Sequence, residues 1–238
     1  MPWMSGERCV VFGGGHAPIG WSIGFLHAPF ETVLRATLEW RRRLLPGLHQ
    51  EALFGPFPDA FLALAPLQTP PTREIVARTR RDEWTANLFN NHLGGDSCSW
   101  CGHLSGVIGC EAVEATHVPI DQYSYPTTTF TITAPSAAPP LHTLRYVVAG
   151  KYDSGRWEFR EGGERQPYEQ AHRYAARRIR DRFDRVMLLG YLDALGIQPD
   201  EPEFWTGGVL LQHQVAYASR TSTLAEVRRD YGISGAAG

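Results

Sequence analysis

The chain has 238 residues, 43% of them hydrophobic and 20% charged, proportions that exclude global disorder and fit one large folded domain. Its 25 acids and 23 bases nearly cancel, which argues against a dedicated nucleic-acid binder, because such proteins carry a net basic footprint. Of the bases only Lys151 is a lysine, so Schiff-base or lysine-nucleophile chemistry has a single candidate. The start, MPWMSGERCVVFGGGHAP, has no basic region followed by an apolar run, and the most apolar stretch, 52–70, is broken by Asp59 and several prolines. The expected address is the cytoplasm, with no membrane partner and with the four cysteines reduced.

Residues 1–18 show no amphipathic period and end close to a glycine run, and are expected to form a flexible lead-in to a single domain over 19–238. A short strand over 21–26 leads to a helix over 29–45, opened by Pro29 and Glu31, with Leu34 and Leu38 facing inward. Strands over 74–80 and 84–90 flank 81–83 as a hairpin. A short helix over 104–108 stops at Gly109, followed by strands over 112–118 and 127–133, the latter rich in β-branched residues. The stretch APSAAPP, 134–140, reads as a loop within one sheet. Strands over 144–149 and 156–159 flank Asp153-Ser154-Gly155, a hairpin turn. Tyr168, Ala171, Ala175, Ile179 and Phe183 recur at helical spacing, and Arg173, Arg177 and Arg180 lie opposite as a solvated stripe. A second helix over 185–195 ends at Gly196. The expected fold is α+β: a single, mainly antiparallel sheet with one N-terminal covering helix and a C-terminal helical pair, both on one face.

The densest chemistry is Cys98-Ser-Trp-Cys101-Gly-His103, with Cys110 seven residues on. Three thiols and an imidazole are a candidate structural zinc set, since Cys-x-x-Cys lets two sulfurs reach one ion. The competing and preferred reading makes the cysteines small core residues. Trp100-Cys101-Gly102-His103 also resembles the first part of the Trp-Cys-Gly-His-Cys motif of protein disulfide isomerases. Leu104 stands where the resolving cysteine belongs, so the resemblance carries no redox activity.

Trp84, Phe89, Trp100, Tyr123 and Tyr125, with Asn87, Asn90, Asn91 and Asp96, mix aromatic and polar groups as interfaces and ligand pockets do. The binding residues expected on this ground are Trp84, Asn87, Asn91, Asp96, Trp100 and Tyr123. The stretches EWTANLFNNHLGGD, 83–96, and RWEFREGGERQPYEQAHRYAARRIRDRF, 156–183, resemble a layout that recurs in uncharacterised bacterial proteins, a resemblance that implies one folded unit and assigns no site. The function expected is a non-catalytic cytoplasmic protein-binding module of immunity or regulatory type. The alternative is a small enzyme of bacterial specialised metabolism, its small molecule held between sheet and helices by Trp84, Trp100, Tyr123 and His103.

Overall fold

The computed structural model describes residues 11–54, 57, 59–94, 97–137, 142–214 and 220–233. The expected hairpins and strands combine into one antiparallel sheet. Its strands are β1 (Ser22–Leu26), β2 (His49–Leu53), β4 (Arg73–Thr79), β5 (Thr85–Phe89), β6 (Ala112–Val118), β7 (Thr127–Thr133), β8 (Thr143–Lys151), β9 (Trp157–Gly163) and β10 (Trp205–Gln212). They lie in the order β2-β10-β4-β5-β1-β6-β7-β8-β9, while β3 (Leu67–Thr69) pairs separately with β11 (Arg220–Ser222).

Alternation along the strands divides the apolar groups between two faces. Ile23, Phe25, Ile75, Val113, Phe130 and Val147 enter the main core with Phe61, Phe183, Tyr191 and Phe204. On the opposite face Leu26, Val76, Phe89 and Ala112 pack against helices α1 (Phe30–Leu44) and α2 (Cys98–Ile108). Gly24 lets α2 lie this close to β1, because a Cβ there would stand 2.8 Å from Cys101 Sγ. Helix α1 has Glu31 in its first turn and Arg41, Arg42 and Arg43 in its last, in the sense its dipole favours. Its buried stripe is Phe30, Val33 and Thr37, leaving Leu34 and Leu38 half-buried on the flank. Arg41 fastens it to the sheet by a two-pronged contact with the buried Glu74, Nε to Oε1 at 2.6 Å and Nη2 to Oε2 at 2.9 Å.

Three expectations need correction. Helix α3 (Arg185–Ala194) packs in the main core, so the long helices sit on both faces and not on one. The stretch 168–183 is not an α-helix but carries 3-10 turns at Ala171–Ala175 and Ile179–Asp181, so of the expected C-terminal pair only the second helix, α3, forms. Tertiary contacts override helical propensity here. Buried Arg145 on β8 donates from Nε and Nη2 to the two oxygens of Glu169, at 2.8 and 2.6 Å, and from Nη2 to Glu161 Oε2 at 2.6 Å. Tyr174 donates to Glu169 Oε2 at 2.7 Å, and its oxygen lies 2.9 Å from that of Tyr191 on α3. These bonds dictate where the backbone of the stretch runs. Lastly, of the expected lead-in, 1–10 lie outside the described residues, whereas Val11, Phe12 and Ala17 are buried, since the turn that carries them folds back with Phe12 N bonded to Gly20 O at 3.0 Å.

Two predictions follow from the buried polar groups. Burial alone would push the Glu169 carboxyl up, but bonds from Arg145, the Gln166 amide and Tyr174 hold it below the usual range. Its contribution is therefore complete above about pH 4.5 and lost as pH falls. Glu169→Gln should cost about 3 kcal/mol in urea unfolding by leaving a buried guanidinium under-compensated, whereas Arg165→Gln, at an exposed site, should leave the midpoint unchanged. The His117 imidazole, bonded to Thr128 Oγ1 at 2.9 Å, is pushed down to about 4 by burial and then by Arg185. The unfolded chain takes up a proton there first, so stability should fall as pH drops from about 6.5 towards 4. His117→Gln should flatten that part of the pH–stability curve.

Candidate functional site

The residues expected to bind do not share one site. Trp100 is buried beneath α2 and donates Nε1 to Thr37 Oγ1 at 3.3 Å. Trp84 belongs to the main core, stacks on His27 at 4.7 Å and donates Nε1 to Leu195 O at 3.1 Å. It also lines a small cleft of about 220 Å³ with Phe30 and Arg78, where the Arg78 guanidinium covers the Phe30 ring at 3.8 Å. Asn87 is fully buried and donates to Glu74 Oε2 at 3.3 Å and to Ile75 O at 3.4 Å. Asn91 shapes its own turn, its Oδ1 accepting from Leu93 N at 2.9 Å. Asp96 lies outside the described residues. Tyr123 stands in a second, larger cleft.

The candidate metal set also separates. Cys98 is exposed, Cys101 is buried with Sγ 3.8 Å from Val113 O, and Cys110 is half-buried. His103 stacks on Trp40 with ring centroids 4.4 Å apart. Among the described residues no group of three or more His, Cys, Asp or Glu could hold a metal ion. Helix α2 begins at Cys98 instead of at 104, so Cys98 and Cys101 ride on a helix packed over Gly24 and do not lie in a loop free to wrap an ion, while Cys110 follows the helix beyond Gly109. The pocket imagined between sheet and helices is likewise not assembled, since Trp84, Trp100 and Tyr123 belong to three separate clusters.

The larger cleft, about 470 Å³, opens at one rim of the sheet. Its floor is Thr116 and Val118 of β6 and Thr127 of β7, which point away from the core-facing Ala115 and Thr128. Thr116 donates to Ser22 Oγ at 2.9 Å. The walls are Trp21, Tyr123, Tyr125 and Tyr152. Trp21 is fixed by Nε1 donating to Gln122 Oε1 at 3.2 Å and by a stacked contact with Tyr231 at 6.0 Å. The Tyr123 ring is tilted 42° to Trp21 and 59° to Tyr125, at 5.9 and 5.5 Å, so the three rings present differently oriented faces. Burial, then Tyr125 and Asp153, push the Tyr123 hydroxyl up, keeping it protonated and able to donate. The rim carries Leu93, Lys151 and Asp153.

Sequence reasoning named Tyr123 and Tyr125 but missed Trp21, Lys151 and Tyr152. The link is the β7–β8 pairing, which sets Thr127 opposite Gly150 and bonds Lys151 N to Pro126 O at 2.9 Å. The hairpin signals around 127–133 and 144–159 contained that neighbourhood, though not the register that creates it.

Fold and site together define an α+β protein with a large antiparallel sheet and an aromatic-walled cleft at its rim. Comparison with protein-family models, with curated proteins and with solved structures gives no match. No helix among the described residues is long and apolar enough to cross a membrane.

The separation of the thiols makes a direct prediction. Burial pushes the Cys110 thiol up to about 11, while Cys98 is exposed. Iodoacetamide at pH 8, followed by peptide mass spectrometry, should modify Cys98 well before Cys110, and a metal chelator should change neither rate. Protection of Cys98 that a chelator abolishes would restore the metal reading.

Proposed function

We propose that the chain is a non-catalytic cytoplasmic binding module, of immunity or regulatory type, which meets a partner protein through the aromatic cleft. The observation that carries this reading is the cleft's exposed apolar rim. Leu93, Tyr125 and Tyr152 are 46%, 41% and 38% exposed, and Ile120, in the loop that carries the tyrosines, is 58% exposed. Apolar side chains clustered around one opening mark interaction sites, and Trp and Tyr dominate the residues that carry binding energy between proteins. A buried ligand pocket has no need of such a rim. Support also comes from the polar groups deeper in the fold: Asn87, Trp84, Trp100 and His117 are engaged in packing and hydrogen bonds and do not line the cleft.

The test is site-specific photocrosslinking in the native cells. Benzoylphenylalanine at position 125 or 152 should yield a discrete protein adduct, while the same group at Val186, 74% exposed on α3, should not. Equal adducts at all three positions, or none at 125 and 152, would refute the reading.

A further inference from the structure

The large sheet ends in β2 on one side and in β9 on the other. Strand β9 pairs with β8 from Trp157 to Gly163 without a bulge and contains no proline, so nothing in its own backbone blunts the edge. The direction of its free groups follows from β8. Lys151 N donates to Pro126 O, just ahead of β7, at 2.9 Å, whereas Tyr152 N donates to Arg156 O on the other side at 3.2 Å. Bonding direction alternates along a strand, so Gly150, Val148 and Tyr146 bond to their partners Glu158, Arg160 and Gly162. The N–H and C=O groups of Trp157, Phe159 and Glu161 therefore point away from the sheet, and among the described residues no backbone hydrogen bond reaches them. The side chains of the same three residues lie on the core face, where the Phe159 ring packs 5.1 Å from that of Tyr174. Glu158 and Arg160 stand on the opposite face, 38% and 62% exposed, with Arg160 Nε donating to Glu158 Oε2 at 3.1 Å.

We infer that β9 is the seam of a symmetric dimer, in which it pairs antiparallel with β9 of a second copy about Phe159. A two-fold axis normal to the sheet sets Phe159 against its own counterpart, Trp157 against Glu161, and Glu158 against Arg160. The outward amides then meet outward carbonyls. Glu158 and Arg160 fall in the non-hydrogen-bonded pairs, where side chains approach most closely, and each carboxylate faces a guanidinium of the other copy. Moving the axis by one residue, to Glu158 or to Arg160, would set that residue against itself, so the charge pattern selects both the register and the partner. The other edge lacks this complementarity, because pairing β2 about its midpoint sets Glu51 against Glu51.

The experiment is sedimentation equilibrium on the purified chain and on Glu158→Arg, Arg160→Glu and the double exchange of both. The unaltered chain should show twice the mass of one copy. Each single variant should be a monomer that keeps the circular dichroism spectrum of the folded chain. An equimolar mixture of the two single variants should recover the doubled mass, since one then supplies only bases and the other only acids, and the double exchange should dimerise by itself. A second readout needs no substitution: hydrogen exchange at the Trp157, Phe159 and Glu161 amides should slow about tenfold between dilute and concentrated solution. An unaltered chain that stays monomeric up to its solubility limit would overturn the inference. So would a dimer that survives in both single variants, a mixture of the two that stays monomeric, or outward amides whose exchange ignores concentration.

Discussion

The pairing of β7 with β8 is the constraint on which the cleft depends. Their register sets Phe130 against Val147 on the core side and Thr127 against Gly150 at the rim. A slip of one residue would turn Phe130 and Ile132 towards solvent and the β7 threonines into the core, so burial of the aromatic ring enforces the register. At the rim the pairing is close: a Cβ on Gly150 would lie 2.6 Å from Thr127 Oγ1. Only with that fit do the loop after β6 and the turn after β8 meet, bringing Tyr123 and Tyr125 together with Lys151, Tyr152 and Asp153.

The same strand carries the deepest charge of this half of the molecule. Arg145 is 1% exposed, and its guanidinium is neutralised by Glu161 of β9 and by Glu169 beyond it. Taking these ions from water is costly, and the cluster is tolerated because its donors converge on carboxylate and carbonyl oxygens, including Gly162 O at 3.0 Å. Its effect is specificity of position: it fixes β8 against β9 and fixes the 168–183 stretch across the core. Arg41 and Glu74 do the equivalent for α1 on the other face. The cleft therefore sits on strands held from both sides, and its walls can remain partly exposed without loss of shape.

Much of the sheet was legible in the sequence because its strands announce themselves by alternation and its hairpins by turn residues. The strands over 112–118 and 127–133 match the expected limits, and the turn at Gly155 has the positive φ that its glycine allows. Strand β10 was not legible, because Gly207 and Gly208 look like a break. In the fold, Gly208 permits close approach to β4, where a Cβ would be 2.7 Å from Val76 O. Helix α4 (Leu224–Tyr231) was signalled by the Thr223–Glu226 capping box and went unread. The stretch 168–183 misled for the opposite reason: its helical stripe is genuine, but Tyr168 and Tyr174 answer to the core and Glu169 to Arg145. The candidate site was legible only in its local part. Tyr123 and Tyr125 are neighbours in sequence, while Trp21 and Tyr152 join them through pairings that no local pattern encodes. Asn87 and Trp100 look like recognition residues by type but are buried inside the fold, where the Asn87 amide donates to Glu74 and Ile75 and the Trp100 indole to Thr37.

The claim that the aromatic cleft is the working surface is tested most directly by soaking crystals of the protein in a series of small organic probes, phenol and isopropanol among them, and locating the bound molecules. Surfaces that carry binding energy collect chemically different probes at one place. The account predicts that several probes overlap between Tyr123, Tyr125 and Tyr152. Probes that gather at another site and leave this cleft empty would contradict it.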